Sequence, residues 1–275
     1  MTLSQPNPVP ETSVASSQAQ TWYRPILSPE HGVYVMLFVS FLTGAAAAQQ
    51  WTIATTLALI AAFAGFQAEH PLVLQIKQRR SWKPRFLVWG GVYSAIALTL
   101  SAYLALQTPV LLWVYLGAIA TFAIDAIAVY YRKQKSISNE LLTFAGVCLA
   151  APFAYVVTTG TFTVSILGLW LLNTLFFSSA IFTVKLRKPK TSSLTPALVY
   201  HAIAPLLTAI LWYLGWLNTP TSLAIGIILV KFAFILIWQD WYRTTRIQKI
   251  AVLETTSALL FLGIVGIALL PALLP

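Results

Sequence analysis

Two Glu-His dipeptides, Glu30-His31 and Glu69-His70, are the first residues in this chain with the makings of chemistry. Carboxylate and imidazole are ordinary ligands of divalent cations. Four such groups at one depth would make a metal site; as interfacial polar groups in water they need no metal. Three further ionisable residues, Asp125, Lys231 and Glu254, stand inside long apolar runs. A charge in such a run is costly and is a functional candidate by default. Lys231 has two candidate partners, Glu254 first and Asp125 second. The pair either locks helices together or offers a cation to an anionic head group. Asn173 and His201 complete the embedded polar set, the amide as interhelical glue or ligand and the imidazole as a cavity wall. Two basic stretches could hold phosphate, through Arg79-Arg80 in one and Lys185-x-Arg187 in the other.

These residues sit in a chain that cannot make a water-compatible surface. Of its 275 residues 58% are hydrophobic and 9% charged, where a soluble domain needs about 25% charged. Mean hydropathy is +0.78. Cys148, the single cysteine, cannot form an intrachain disulfide. The net charge of +10 reads as a topology signal rather than a nucleic-acid footprint. No phosphate-binding loop, dinucleotide fingerprint, Cys-x-x-Cys or His-Glu-x-x-His occurs. No cofactor is indicated by the residues themselves.

Nine apolar stretches are long enough to cross a bilayer as helices: 31–48, 51–70, 85–106, 109–131, 139–158, 161–185, 197–217, 221–239 and 250–271. The fold class is all-α, a polytopic transmembrane bundle forming one domain over 30–275. Residues 1–29, rich in Ser, Thr, Gln and Pro, read as a disordered tail. Pro84, Pro109, Pro196 and Pro220 mark helix starts, and Pro71 the end of the second helix. Pro152 and Pro205 predict kinks inside the fifth and seventh spans. The short turn after the first span predicts that the first two helices are antiparallel neighbours. With nine spans, all of the 17 Lys and Arg except Lys231 fall on one side. The positive-inside rule then puts the N-terminus in the cytoplasm and the C-terminus outside. The expected location is a bacterial inner membrane, or an internal membrane such as the thylakoid.

Ser28-Pro29-Glu30-His31-Gly32, followed by Tyr34, Met36 and Leu37, resembles the opening of the YwiC-like family of bacterial membrane proteins. Leu172-Asn173 through Phe182-x-Val184-Lys185, and Arg246-Ile247-x-Lys249 through Val252-x-Glu254, resemble it too. The resemblance spans about 28 to 272 and implies a membrane protein without fixing an activity. The architecture is also similar to UbiA-type prenyltransferases, nine helices with polar loops after the second and sixth spans. That likeness implies transfer of a polyprenyl group from its diphosphate, with Mg²⁺ as cofactor. At the loops where those enzymes carry aspartate-rich motifs this chain reads Gln67-Ala68-Glu69-His70 and Lys185-Leu186-Arg187-Lys188. A cationic loop of that kind neutralises a diphosphate without metal.

The expected partner is therefore a membrane lipid or isoprenoid-type amphiphile with an anionic head, bound at the basic face by the residues above. A secondary transporter, with charges near the midplane, and a non-catalytic assembly or scaffold protein are the alternatives.

Overall fold

A computed structural model of the chain describes residues 24–78, 81–188 and 193–270. Among the described residues there is no strand. Twelve helices follow in order: α1 (His31–Ala48), α2 (Ile53–Gln78), α3 (Pro84–Gln107), α4 (Leu111–Tyr130), α5 (Ile137–Cys148), α6 (Ala150–Thr159), α7 (Val164–Lys185), α8 (Thr195–Tyr213), α9 (Thr219–Leu223), α10 (Gly226–Ile237), α11 (Gln239–Thr244) and α12 (Ile247–Ala268). α5 with α6, and α9 with α10, each make one crossing. The described residues thus hold nine segments long and apolar enough to span a membrane, and the chain is a multi-pass integral membrane protein. Where water is absent a helix satisfies its own backbone, which is why long apolar runs take this form.

Proline places most boundaries as expected. Pro84 begins α3, and Pro196 and Pro220 stand in the first turns of α8 and α9. Pro71 behaves differently: α2 runs through it to Gln78. A proline interior to a membrane helix is tolerated when neighbours pack around it, and here α3 does so. A Cβ on Gly90 would lie 3.0 Å from Leu72 Cδ2 and 3.7 Å from Pro71 Cγ, so the glycine makes room for α2 at the proline.

The fifth span breaks where Pro152 predicts a kink. α5 stops at Cys148, and α6 starts at Ala150 with Pro152 in its first turn, where its missing N–H costs least. Leu149 N–H closes a tight turn on Gly146 O at 3.2 Å. Ala145 O accepts instead from the Trp170 indole N–H of α7, at 2.9 Å. A buried carbonyl must find some donor, and a neighbouring helix supplies it.

α1 and α2 are not the close neighbours that their short connection predicts. α2 lies chiefly along α3, whereas α1 packs against α6 and α12. The reason is Gly44: a Cβ there would fall 2.0 Å from the Ala151 carbonyl oxygen, so the two backbones meet directly. α1 and α2 touch toward the basic end. Tyr34 meets Phe66 edge-on at 4.9 Å, and Gln67 Nε2 donates to Tyr34 Oη at 2.8 Å. Residues 24–29, assigned from sequence to the tail, lie partly against the bundle. Ile26 and Ser28 are buried, and Ser28 N–H donates to Gln67 Oε1 at 3.1 Å. The rest of that tail, 1–23, lies outside the described residues.

Replacing Gly44 with alanine should destabilise the protein by at least about 2 kcal/mol, because the obstacle is backbone that cannot rotate away. Thermal unfolding in detergent checks this, with Gly32→Ala, whose Cβ meets open space, expected to leave the transition unchanged.

Candidate functional site

The basic end of the bundle opens into a cavity of about 740 Å³ walled by α1 to α7. Helical periodicity selects its walls. Positions three and four apart share a face, so Glu69, Val73 and Lys77 line up on α2, and Ala118, Phe122, Asp125 and Val129 on α4. α5 adds Asn139 and Thr143 from one face, α7 adds Ile181 and Lys185, and Lys188 follows just beyond its end. The result is polarised. Glu30, Glu69, His70, Lys77, Lys135 and Lys188 sit toward the basic mouth; Ala61, Ala62, Gly65, Ala97, Ala118 and Gly146 line the interior. The space exists because those interior positions carry no large side chain. From Val129 to Val114 the cavity follows α4 for about 22 Å, at 1.5 Å per residue, most of a bilayer core.

Asp125 is 9% exposed and anchored from α5. Its Oδ1 accepts from Asn139 Nδ2 at 2.6 Å and from Thr143 Oγ1 at 3.3 Å. Asn139 is positioned by the start of its own helix, where Ser136 Oγ caps its backbone N–H at 3.3 Å. Across the mouth, Lys185 pairs with Glu140. Each of these contacts places a charge beside a partner before any ligand arrives, which a water-poor site requires.

The sequence-derived candidates separate into two groups, with α7 as the partition. Glu30, Glu69, His70, Asp125 and Lys185 line the cavity. Asn173, Arg187, His201, Lys231 and Glu254 do not. Arg187, two residues beyond Lys185, turns to the opposite side. Its Nη2 donates to Thr245 O, and its guanidinium lies over the Tyr242 ring at 5.8 Å. Burial pushes the Tyr242 phenol up to about 12, so it stays neutral beneath that cation. Lys231, 4% exposed, meets Glu254 Oε2 at 2.7 Å and Ser179 Oγ at 3.1 Å. The second candidate partner, Asp125 of α4, is held by Asn139 and Thr143 of α5 instead. His201 Nδ1 lies 2.7 Å from Ala197 O, and its ring stacks on Phe232 at 3.9 Å. Asn173 Nδ2 donates to Thr43 Oγ1 at 3.0 Å and to Leu169 O at 2.9 Å, tying α7 to α1.

The two Glu-His dipeptides do not converge as the metal reading requires. His31 is exposed and faces Tyr34, with ring centroids 6.4 Å apart, while Glu30, Glu69 and His70 line the cavity. Among the described residues no three His, Cys, Asp or Glu side chains come together as ligands. Arg79 and Arg80, the first phosphate candidates, lie outside the described residues, as does Lys190 of the second basic stretch.

Sequence reasoning missed Asn139, Glu140 and Thr143. The signal was Ser136 directly before the helical run that opens at Ile137, an N-cap pattern that places α5's first polar residues at the cavity mouth. It also missed the Ser28–Tyr34–Gln67 network that ties α1 to α2 beside the cavity.

Glu254→Gln should strip Lys231 of its carboxylate and cost about 3 kcal/mol, the usual penalty for breaking a buried pair. Lys231→Met combined with Glu254→Gln should cost less than the sum of the single changes. A double-mutant cycle read by unfolding in detergent measures the difference.

No curated protein and no solved structure matches the chain. A family match exists for its first half, covering α1 to α5 and entering α6. The later stretches that resemble the same family, at Leu172 and Arg246, fall outside it. Residues 27–155, which supply every helix wall of the cavity except α7, match the family described as YwiC-like protein.

Proposed function

We propose that the protein binds an amphiphile with an anionic head group, its head at the basic mouth and its tail along the alanine- and glycine-lined interior. The observation that carries this reading is one continuous cavity with Lys77, Lys135, Lys185 and Lys188 beside Glu30, Glu69 and Glu140 at one end and a lining mostly of small and apolar side chains at the other. Lys77, Lys135 and Lys188 at the mouth supply donors and positive charge to a phosphate or carboxylate. Lys185, held by Glu140, stands ready to exchange that carboxylate for the head group. The apolar length suits an acyl or isoprenoid chain, which gains about 0.8 kcal/mol per buried CH₂.

Under the positive-inside rule this mouth faces the cytoplasm of a bacterial inner membrane, or the equivalent side of an internal membrane such as the thylakoid. An enzymatic version is prenyl transfer of the UbiA type. One observation favours it: Glu69-His70 and Lys185, from the ends of the second and sixth spans, line the same cavity. In that version the diphosphate lies between them, and Glu69 would be a carboxylate ligand of the Mg²⁺ bound with it.

A thermal-shift panel on detergent-purified protein tests the reading. Prenyl diphosphates of several lengths, phosphatidic acid and phosphatidylcholine are compared, each with and without Mg²⁺. An anionic amphiphile at about 100 times its dissociation constant should stabilise the fold by about 2.7 kcal/mol, and phosphatidylcholine should not. Lys77→Ala with Lys188→Ala should weaken the shift, and Ala62→Phe should abolish it while leaving the unliganded transition in place. A Mg²⁺-dependent shift confined to prenyl diphosphates selects the transferase version. No shift with any anionic amphiphile overturns the reading, and gradient-driven uptake in proteoliposomes or partner co-purification then decides between transport and scaffolding.

A further inference from the structure

The cavity has a second boundary, at mid-span, that the basic mouth does not explain. α3 and α4 are consecutive but barely touch, whereas α2 and α3 pack along their lengths, and α2 meets α4 at the end away from the basic mouth, where Ala58 and Ala61 share a buried cluster with Leu111 and Val114. The hydrogen bond that joins α3 to α4, Tyr115 Oη to Ser101 O at 3.1 Å, sits within two turns of their connection. Beyond it α3 departs with α2. It gives the cavity only Ala97 and Ser101, and nothing from its basic half. Gly65 on α2 and Ala118 and Phe122 on α4 line the cavity and are exposed. All three lie near the middle of their helices, at the depth of the hydrocarbon core.

We propose that this gap between the α2–α3 pair and α4 is a lateral gate, through which the tail of the anionic amphiphile passes between bilayer and cavity. The inference rests on the binding reading above and adds the route. Its rim, Gly65, Ala97, Ala118 and Phe122, carries no charge and no hydrogen-bonding side chain. A head group gains nothing there, and a hydrocarbon chain crosses without desolvation cost. A water-soluble ligand would need only the basic mouth. A membrane-resident ligand needs an opening at the depth of its tail, and the gap supplies one continuous with the lysines at the mouth. Phe122, 39% exposed, is the one bulky group on the rim and acts as its leaf.

The test separates route from affinity. Protein is reconstituted in phosphatidylcholine vesicles, and exchange of dansyl-labelled phosphatidic acid is followed by energy transfer from the protein's tryptophans. Gly65→Leu with Ala118→Leu narrows the gap and should slow association by about tenfold; both positions also face the tail, so the association rate, not the dissociation constant, is the readout. Phe122→Ala widens it and should speed association. Ile119→Phe, exposed but outside the cavity wall, should leave that rate unchanged. Unaltered rates in both rim variants overturn the gate. So does a loss of affinity that comes from faster dissociation alone with association unaltered, which leaves these residues walls of the tail site and nothing more. If the unsubstituted protein binds no labelled phosphatidic acid or prenyl diphosphate, the binding reading falls and the gate falls with it.

Discussion

Hydrocarbon gives two apolar helices no reason to associate, since lipid tails are as apolar as leucine. What holds this bundle must therefore be close packing and buried hydrogen bonds, and both concentrate on α1. At Gly44 its backbone meets that of Ala151 with no side chain between. One position earlier, Thr43 accepts from Asn173 of α7. Ser40 Oγ lies 3.5 Å from Cys148 Sγ, at the end of α5. Two short side chains and a glycine on one face of one helix thus fix α5, α6 and α7 around it. The helices that wall the cavity take their spacing from that seam.

The division made by α7 follows from helix geometry. Lys185 and Arg187 are two residues apart, so they point to different sides. One meets Glu140 at the cavity mouth and the other meets Thr245 and Tyr242. A single basic stretch thereby serves two purposes, a ligand-facing cation and a brace against the C-terminal helices. The polar residues behind α7 pack within the bundle, with His201 Nε2 and Asn173 Oδ1 left without a hydrogen-bond partner among the described residues; those on the cavity side, with Asp125 and Lys185 each paired, border empty volume.

Much of the architecture was legible in the sequence because lipid imposes one-dimensional rules. Span number and most boundaries follow from hydropathy and proline placement. The Lys231–Glu254 contact was legible too, since two adjacent spans with one embedded charge each leave little choice. What was not legible depends on helix rotation and contact. Nothing in His31 and Glu69 says that one faces outward and the other inward. Pro71 reads as a stop until Gly90 on the next helix is seen to accommodate it. Asp125 reads as a partner for Lys231 until Asn139 and Thr143 are seen to hold it. The cavity is written as absent side chains, Ala61, Ala62, Gly65, Ala97 and Ala118, and small residues in an apolar run look like ordinary packing positions until their neighbours are known.

The Lys231–Glu254 contact also has an electrical meaning. An energised membrane drops its potential across the span in which this pair is buried, and a lone charge crossing it would change energy by about 2.3 kcal/mol per 100 mV. Two opposite charges 2.7 Å apart present only a short dipole, on which the field does almost no work. The embedded lysine is thus made nearly blind to voltage, and the stability of α10 against α12 does not rise and fall with the energetic state of the cell.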